Sequence, residues 1–329
     1  MLILNANDVR QALPMAQAIP AMKRAFAALS AETAVMPLRA RLPISPHDGV
    51  SLFMPAFVPD ATQSALAVKI VSVFNQNPQR NLPLIHAAVL VLEPDTGRPI
   101  ALLAGGALTA IRTGAGAGAA TDLLARPDSR VAAIFGAGVQ SRTQLEAICT
   151  VRQIDKVWIY DPNPGKSAAF ITDMAEQGPI PADLLIAESP QQAVREADII
   201  CTATTATTPV FADADLKPGV HINGVGSYTP QMQEIAAATV QRALLVVDSS
   251  ESVWAEAGDL IQPLTDKLIT ADHIHAELGE LVLNRKPGRT TAAQITFFKS
   301  VGVAVQDAAA AQLTLTNARA LGLGVEVDL

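Results

Sequence analysis

From Val131 onward, short apolar runs of strand length alternate with stretches of helical periodicity, and this alternation constrains the fold more than any other feature of the chain. The runs are Val131–Phe135, Val157–Tyr160, Leu184–Ala187, Ile199–Thr202, Val220–Val225 and Leu244–Asp248. Helical patterns fall between them near Ser141–Val151, Lys166–Gln177, Pro190–Glu196 and Gln231–Arg242. Parallel strands need a crossover, normally a helix, so the pattern predicts βαβ units and a doubly wound parallel sheet. The first run passes directly into Gly136-Ala137-Gly138-Val139-Gln140-Ser141 and then a helix. Gly136 permits the tight turn, Gly138 lets a pyrophosphate approach the backbone, and Ser141 is small enough for helix and strand to pack closely. A phosphate would then meet free N–H groups at a helix N-terminus.

Asp161 closes the next strand, near the spacing of ~20 residues expected for the acid that binds an adenosine ribose. A carboxylate accepts from a 2′-OH and repels a 2′-phosphate, so NAD(H) is favoured; Lys166 nearby leaves NADP(H) open. Thr202-Ala203-Thr204 ends another strand, where hydroxyls either touch a cofactor or cap the next segment. A second glycine cluster, Thr113-Gly-Ala-Gly-Ala-Gly118, follows no apolar strand and reads as a helix packed hard against a neighbour.

The first third has a different grammar. Ser51–Val58, Ala65–Phe74, Leu84–Leu92 and Pro99–Ala104 are closely spaced strands, the last two joined by turn chemistry at Glu93-Pro-Asp-Thr-Gly97, and they predict an antiparallel sheet. A helix over roughly 16–31 precedes it, with Ile19, Met22, Phe26 and Leu29 on one stripe and Pro20 tolerable only in the first turn. The Ala-rich tail Phe297–Leu321 reads as one helix. With 329 residues, the usual ~150 per domain gives about two domains.

Three cations stand in apolar settings: Lys69 inside a strand, Arg112 among small residues, and Arg39 with its neighbour Arg41. Either they face water, or they converge on a carboxylate, which guanidinium groups grip bidentately. In a dry pocket beside other cations, Lys69 would have its pKa lowered and become usable in proton transfer. The five histidines form no ligand set, and no metal site is expected. Cys149 and Cys201 are too few for a disulfide framework; both read as buried thiols and suit a cytoplasmic protein. Net charge of −7 without a basic block argues against nucleic acid and anionic membrane surfaces. No run approaches the ~20 apolar residues of a transmembrane span, and the amino terminus has no signal-peptide pattern.

These residues resemble the ornithine cyclodeaminase/mu-crystallin family over essentially the whole chain. The matching pieces are Pro37-Leu-Arg39, Leu52-Phe-Met-Pro55-Ala, Val68-Lys69-Ile-Val, Leu108-Thr-Ala-Ile-Arg112-Thr and the Gly136–Ser141 loop. Ala203-Thr, Pro209-Val, Pro218-Gly-Val-His-Ile-Asn223 and Phe298-Lys299-Ser300-Val-Gly-Val-Ala follow. The resemblance implies an α/β protein in which a Rossmann domain over 119–301 joins an α+β substrate and dimerisation domain over 1–118 and 302–329. It also implies a homodimer moving hydride between a nicotinamide and the α-carbon of a small amino or imino acid. By position, Lys69 and Arg112 become catalytic, with Arg39, Lys69 and Arg112 holding the substrate carboxylate. The loop Gly136–Ser141, with Asp161, Thr202, Ala203, Thr204, Val225, Ser300 and Arg112, becomes the cofactor site.

One departure narrows the activity. Ornithine cyclodeaminases of this family place an aspartate after the Ile-Asn-x-Val-Gly segment, where this chain has Tyr228. A phenol with pKa near ~10 cannot act as a carboxylate base at neutral pH. The variant is similar to family members that reduce cyclic ketimines. The expectation is an NAD(P)H-dependent reductase of Δ1-pyrroline-2-carboxylate or its six-membered homologue, giving L-proline or L-pipecolate. Ornithine cyclodeaminase, alanine dehydrogenase-like and non-catalytic mu-crystallin-like readings are the alternatives.

Overall fold

The computed structural model describes residues 1–61 and 63–328; Thr62 and Leu329, the last residue of the expected carboxyl-terminal segment, lie outside it. The chain forms two compact units, one of Met1–Arg112 with the segment from Val303, the other of Thr113–Gly302. The first change of unit falls at Arg112, inside one continuous helix, Gly105–Leu124, that also contains the expected boundary at Gly118.

In the first unit, β1 (Leu2–Leu4), β2 (Ala40–Ile44), β3 (Gly49–Val58), β4 (Ala65–Phe74), β5 (Ile85–Leu92) and β6 (Pro99–Ala104) form one sheet with the short strand Val325–Glu326. The spatial order is Val325–Glu326, β1, β6, β5, β4, β3, β2. β3 through β6 pair antiparallel, as their spacing predicts; β2 joins β3 antiparallel and β1 is added parallel to β6. Alternation sorts the side chains. Met54, Lys69 and Val89 share one cross-strand row, and with Leu52, Ala67, Val91 and Leu103 they form the buried face. The helix Ala304–Leu321 packs on β3 and β4 and against the helix Met15–Ser30. Small residues on that helix (Ala304, Ala308, Ala311) are buried there, so it approaches the sheet closely. The opposite face carries Leu42, Phe53 and Ile70, all exposed.

In Met15–Ser30, Ile19, Met22 and Phe26 are buried as the stripe requires, with Leu29 half-buried. Pro20 departs from expectation: it stands in the second turn, inside the helix. It is tolerated because it lies on the exposed face, where water can satisfy the carbonyl that loses its donor.

The second unit is the doubly wound α/β domain. Its strands are β7 (Val131–Phe135), β8 (Lys156–Tyr160), β9 (Leu184–Ile186), β10 (Ile199–Thr202), β11 (His221–Gly224), β12 (Leu244–Val247), β13 (Ala276–Glu277) and β14 (Thr296–Lys299). All pairings are parallel, in the order β13-β12-β14-β11-β10-β7-β8-β9. The order reverses between β7 and β10, which places a ligand crevice at the carboxyl ends of those strands. Two sequence expectations fail here. The tail is not one helix: Thr296–Lys299 is a strand with both neighbours in place, so all four residues are buried and no polar alternation marks it. Only Ala237–Arg242 of the expected 231–242 helix forms, because the N–H groups of Glu234 and Ile235 donate instead to the Asp259 carboxylate.

The second glycine cluster lies in the helix Gly105–Leu124, as packing and not as a phosphate loop. A Cβ on Gly114 would fall 2.4 Å from the Thr143 carbonyl oxygen, so only glycine lets the helix Val139–Val151 come this near.

Candidate active site

β4 lies between β3 and β5, and Lys69 is at its centre on the covered face. Only 2% of Lys69 is exposed, so the reading that places it in water on an edge strand fails. Its Nζ meets Asp307 Oδ2 at 2.7 Å, while Arg112 Nε donates to Asp307 Oδ1 at 2.9 Å. Arg112, 4% exposed, also donates through Nη1 to Gln306 Oε1 at 3.0 Å. Gln306 completes a closed set: its Oε1 accepts from the Val303 N–H and its Nε2 donates to the Arg112 carbonyl. Two buried cations are thus held rigidly on one carboxylate.

Arg39 is half-buried, with Nη1 4.0 Å from the Met54 sulfur, and Met54 is the cross-strand partner of Lys69. Arg41 is exposed. Burial is the main force lowering the Lys69 pKa, to about 7; Arg112 lowers it further, Asp307 opposes, and Arg39 adds a smaller depression. Lys69 and Arg112 against the single acid Asp307 leave a surplus of positive charge, suited to an incoming carboxylate. An ammonium that titrates near neutrality can give a proton and regain it from water.

Asp307 and Gln306 escaped the sequence reading. The signal was present in the same form as for Lys69, a Gln–Asp pair inside the otherwise apolar Ala304–Ala311 segment. Acids almost never lie fully buried without a partner.

In the second unit, β7 ends in Gly136, whose φ of +91° only glycine adopts without strain. Gly138 caps the helix Val139–Val151 with no side-chain hydrogen bond, and a Cβ there would touch nothing within 4 Å. The helix therefore presents uncapped N–H groups beside open space, which fits a dinucleotide pyrophosphate. Val139 is exposed at this mouth, Gln140 is half-buried with Oε1 unpartnered, and Ser141 is buried at the helix–sheet contact. Asp161 follows β8; its Oδ2 accepts from the Ala137 N–H at 3.1 Å and its Oδ1 from the Asn163 N–H at 2.9 Å. These bonds anchor the acid against the glycine loop, where a ribose would meet it. Lys166 is exposed on the following helix.

The remaining cofactor candidates are tied into the protein by other bonds. The hydroxyls of Thr202 and Thr204 both donate to Glu234, and that of Ser300 donates to Asp248 at 2.7 Å. The Ala203 N–H bonds to Phe135 and the Val225 N–H to the Thr202 carbonyl. Glu234, Asp248 and Asp259 have no role in the sequence reading, because their partners lie far away in the chain. Cys201 is buried, its thiol pushed well up by burial, and burial pushes Cys149 to about 12; neither suits a nucleophile. No group of metal-ligating residues occurs among the described residues. No described helix is long and apolar enough to cross a membrane.

A model of the Ornithine cyclodeaminase/mu-crystallin family matches residues 1–321. A Delta(1)-pyrroline-2-carboxylate reductase of Bacillus cereus is 40% identical over 329 residues, covering 100% of both chains. The solved Delta(1)-pyrroline-2-carboxylate reductase of Thermococcus litoralis, in complex with NADH and L-proline, is 42% identical with a TM-score of 0.94, over 99% of this chain and 100% of that one. An archaeal alanine dehydrogenase dimer with bound NAD is 29% identical with a TM-score of 0.91, over 100% of this chain and 99% of that one.

Proposed function

The chain belongs to the ornithine cyclodeaminase/mu-crystallin family, and from that premise we propose that it is an NADH-dependent reductase of cyclic imino acids. Its substrate is Δ1-pyrroline-2-carboxylate, reduced to L-proline, with the six-membered homologue as a second substrate; NADP(H) is the weaker cofactor. The observation that carries this reading is Lys69, buried on the Asp307 carboxylate that also holds Arg112, with its pKa lowered to about 7.

Reduction adds hydride to the imine carbon and a proton to its nitrogen, while NADH becomes NAD+. The bound dinucleotide supplies the hydride. Arg112 and Arg39 grip the substrate carboxylate, and Lys69 delivers the proton to nitrogen. Asp307 keeps Lys69 protonated against its burial and fixes Arg112 through its other oxygen. Near pH 7 the neutral Lys69 left behind takes a proton back from solvent, with no strong acid needed. On the cofactor side, Gly136, Gly138 and the uncapped helix N-terminus hold the pyrophosphate, and Asp161 accepts from the adenosine ribose. Tyr228, half-buried, stands where a deaminating member would need an acid.

We also propose a cytoplasmic homodimer, for which the buried thiols are apt. The exposed residues Leu42, Phe53 and Ile70 make an apolar sheet face that a second copy would cover, consistent with the archaeal dimer.

The test is NADH oxidation over a panel of Δ1-pyrroline-2-carboxylate, Δ1-piperideine-2-carboxylate, pyruvate with ammonia, and ornithine. Turnover on the cyclic imines is expected. Ammonia release from ornithine without net NADH change would replace this reading with cyclodeamination.

A further inference from the structure

A fully buried charge network lies under the carboxyl ends of β10 and β11, and hydride transfer as described above makes no use of it. The Glu234 carboxylate accepts five hydrogen bonds. Oε1 takes the Thr204 N–H (2.6 Å) and hydroxyl (2.8 Å); Oε2 takes the Thr202 hydroxyl (2.9 Å) and the N–H groups of Gly226 (2.7 Å) and Ser227 (3.2 Å). It thereby ties the loop after β10 to the loop after β11. The fit is tight: a Cβ on Gly226 would lie 2.3 Å from the Thr204 carbonyl oxygen. Behind it, Asp259 Oδ1 accepts from the Glu234 and Ile235 N–H groups, and Lys299 Nζ stands 3.0 Å from Asp259 Oδ2. Glu234, Asp259 and Lys299 are all fully buried.

Two acids share one ammonium. Lys299 sits on Asp259 and neutralises it, leaving Glu234 as the excess charge. Burial and Asp259 push the Glu234 carboxyl above the usual carboxylate range. Against this, the backbone N–H groups of Thr204, Gly226 and Ser227, which can only donate, aim at both of its oxygens and favour the charged form. Ionised Glu234 is the form this shell accommodates.

A dinucleotide lies across the switch point with one half on each side. The ribose acid Asp161 assigns the adenosine half to β7 and β8, so the nicotinamide half takes the ends of β10 and β11. That ring is neutral when reduced and positively charged when oxidised. We propose that Glu234 is a positioning residue for the nicotinamide half, clamping its two supporting loops and placing one uncompensated negative charge beneath them that favours the oxidised ring. This rests on the dinucleotide reading above and adds to it a determinant of NAD+ over NADH affinity.

The experiment is calorimetric titration of the full-length protein with NADH and with NAD+, no substrate present. For Glu234→Gln the ratio of the NAD+ to the NADH dissociation constant is expected to rise roughly tenfold. Asp259→Asn leaves the Glu234 clamp in place but lets Lys299 neutralise it, so the ratio should rise in the same direction. A loss of clamping alone would weaken both ligands equally. The proposal is overturned if either folded variant keeps the wild-type ratio within twofold, or if neither variant folds, which would make the network a folding determinant only. Wild-type protein that binds neither dinucleotide would instead refute the cofactor reading itself.

Discussion

Replacing Asp307 with asparagine tests the heart of the proton-transfer assignment. The side chain keeps its shape and an accepting oxygen but loses the charge 2.7 Å from Lys69 Nζ and 2.9 Å from Arg112 Nε. At about 4 Å between charge centres and an effective dielectric near 20, the lost attraction is about 4 kcal/mol. Asparagine oxygen and entering water recover roughly half, leaving about 2 kcal/mol, or about 1.5 pH units at 1.36 kcal/mol each. The sign is fixed by the charge: Asp307 raises the Lys69 pKa, so its removal carries the inflection below the wild-type value of about 7. Because the reaction needs protonated Lys69, kcat/KM for imine reduction falls as pH rises, and in Asp307→Asn that fall begins at lower pH. The fold survives because Lys69 sheds its proton and the asparagine oxygen still accepts from Arg112 Nε. The assay is a kcat/KM profile for Δ1-pyrroline-2-carboxylate with saturating NADH, alongside a thermal melt. A folded variant whose alkaline limb coincides with wild type would refute the reasoning, since the nearest charge would then have no hold on the group said to titrate.

Lys69→Met should lower turnover by about 10²–10⁴-fold with NADH binding retained, checked by stopped-flow and titration. Full turnover would remove Lys69 from the chemistry. Asp161→Ser should shift the NADH-to-NADPH preference in kcat/KM by roughly tenfold toward NADPH, since the carboxylate that repels a 2′-phosphate is gone. Gly114→Ala should cost about 1–3 kcal/mol in urea denaturation, because the new methyl meets the Thr143 backbone and one helix must move. Ile70→Glu should convert a dimer to monomers in size-exclusion chromatography, as it buries a charge in the proposed apolar contact.

Much of this site can be read along the chain because the relevant physics is local. Strand, glycine turn and helix follow one another between Val131 and Val151, and Asp161 closes the next strand, so covalent sequence alone brings the glycine turn and this acid together. A lysine within an apolar strand announces itself in the same way. Partners at long range are another matter. Asp307 meets Arg112 across 195 positions, and no periodicity near either residue encodes the other. Thr202 and Ser300 look like crevice hydroxyls until Glu234 and Asp248 come up behind them.

The alternation of strand and helix, the doubly wound fold class and the candidate cations were settled by residue order, since each depends on neighbours only a few positions apart. Tertiary structure alone decided that Thr296–Lys299 is a central strand, that Arg39 reaches Met54 beside Lys69 while Arg41 stays exposed, and that one carboxylate holds Lys69 and Arg112. The physical reason is desolvation. Whether a buried charge is a liability or a working acid depends on which opposite charge the fold packs against it, and packing is a property of the folded chain.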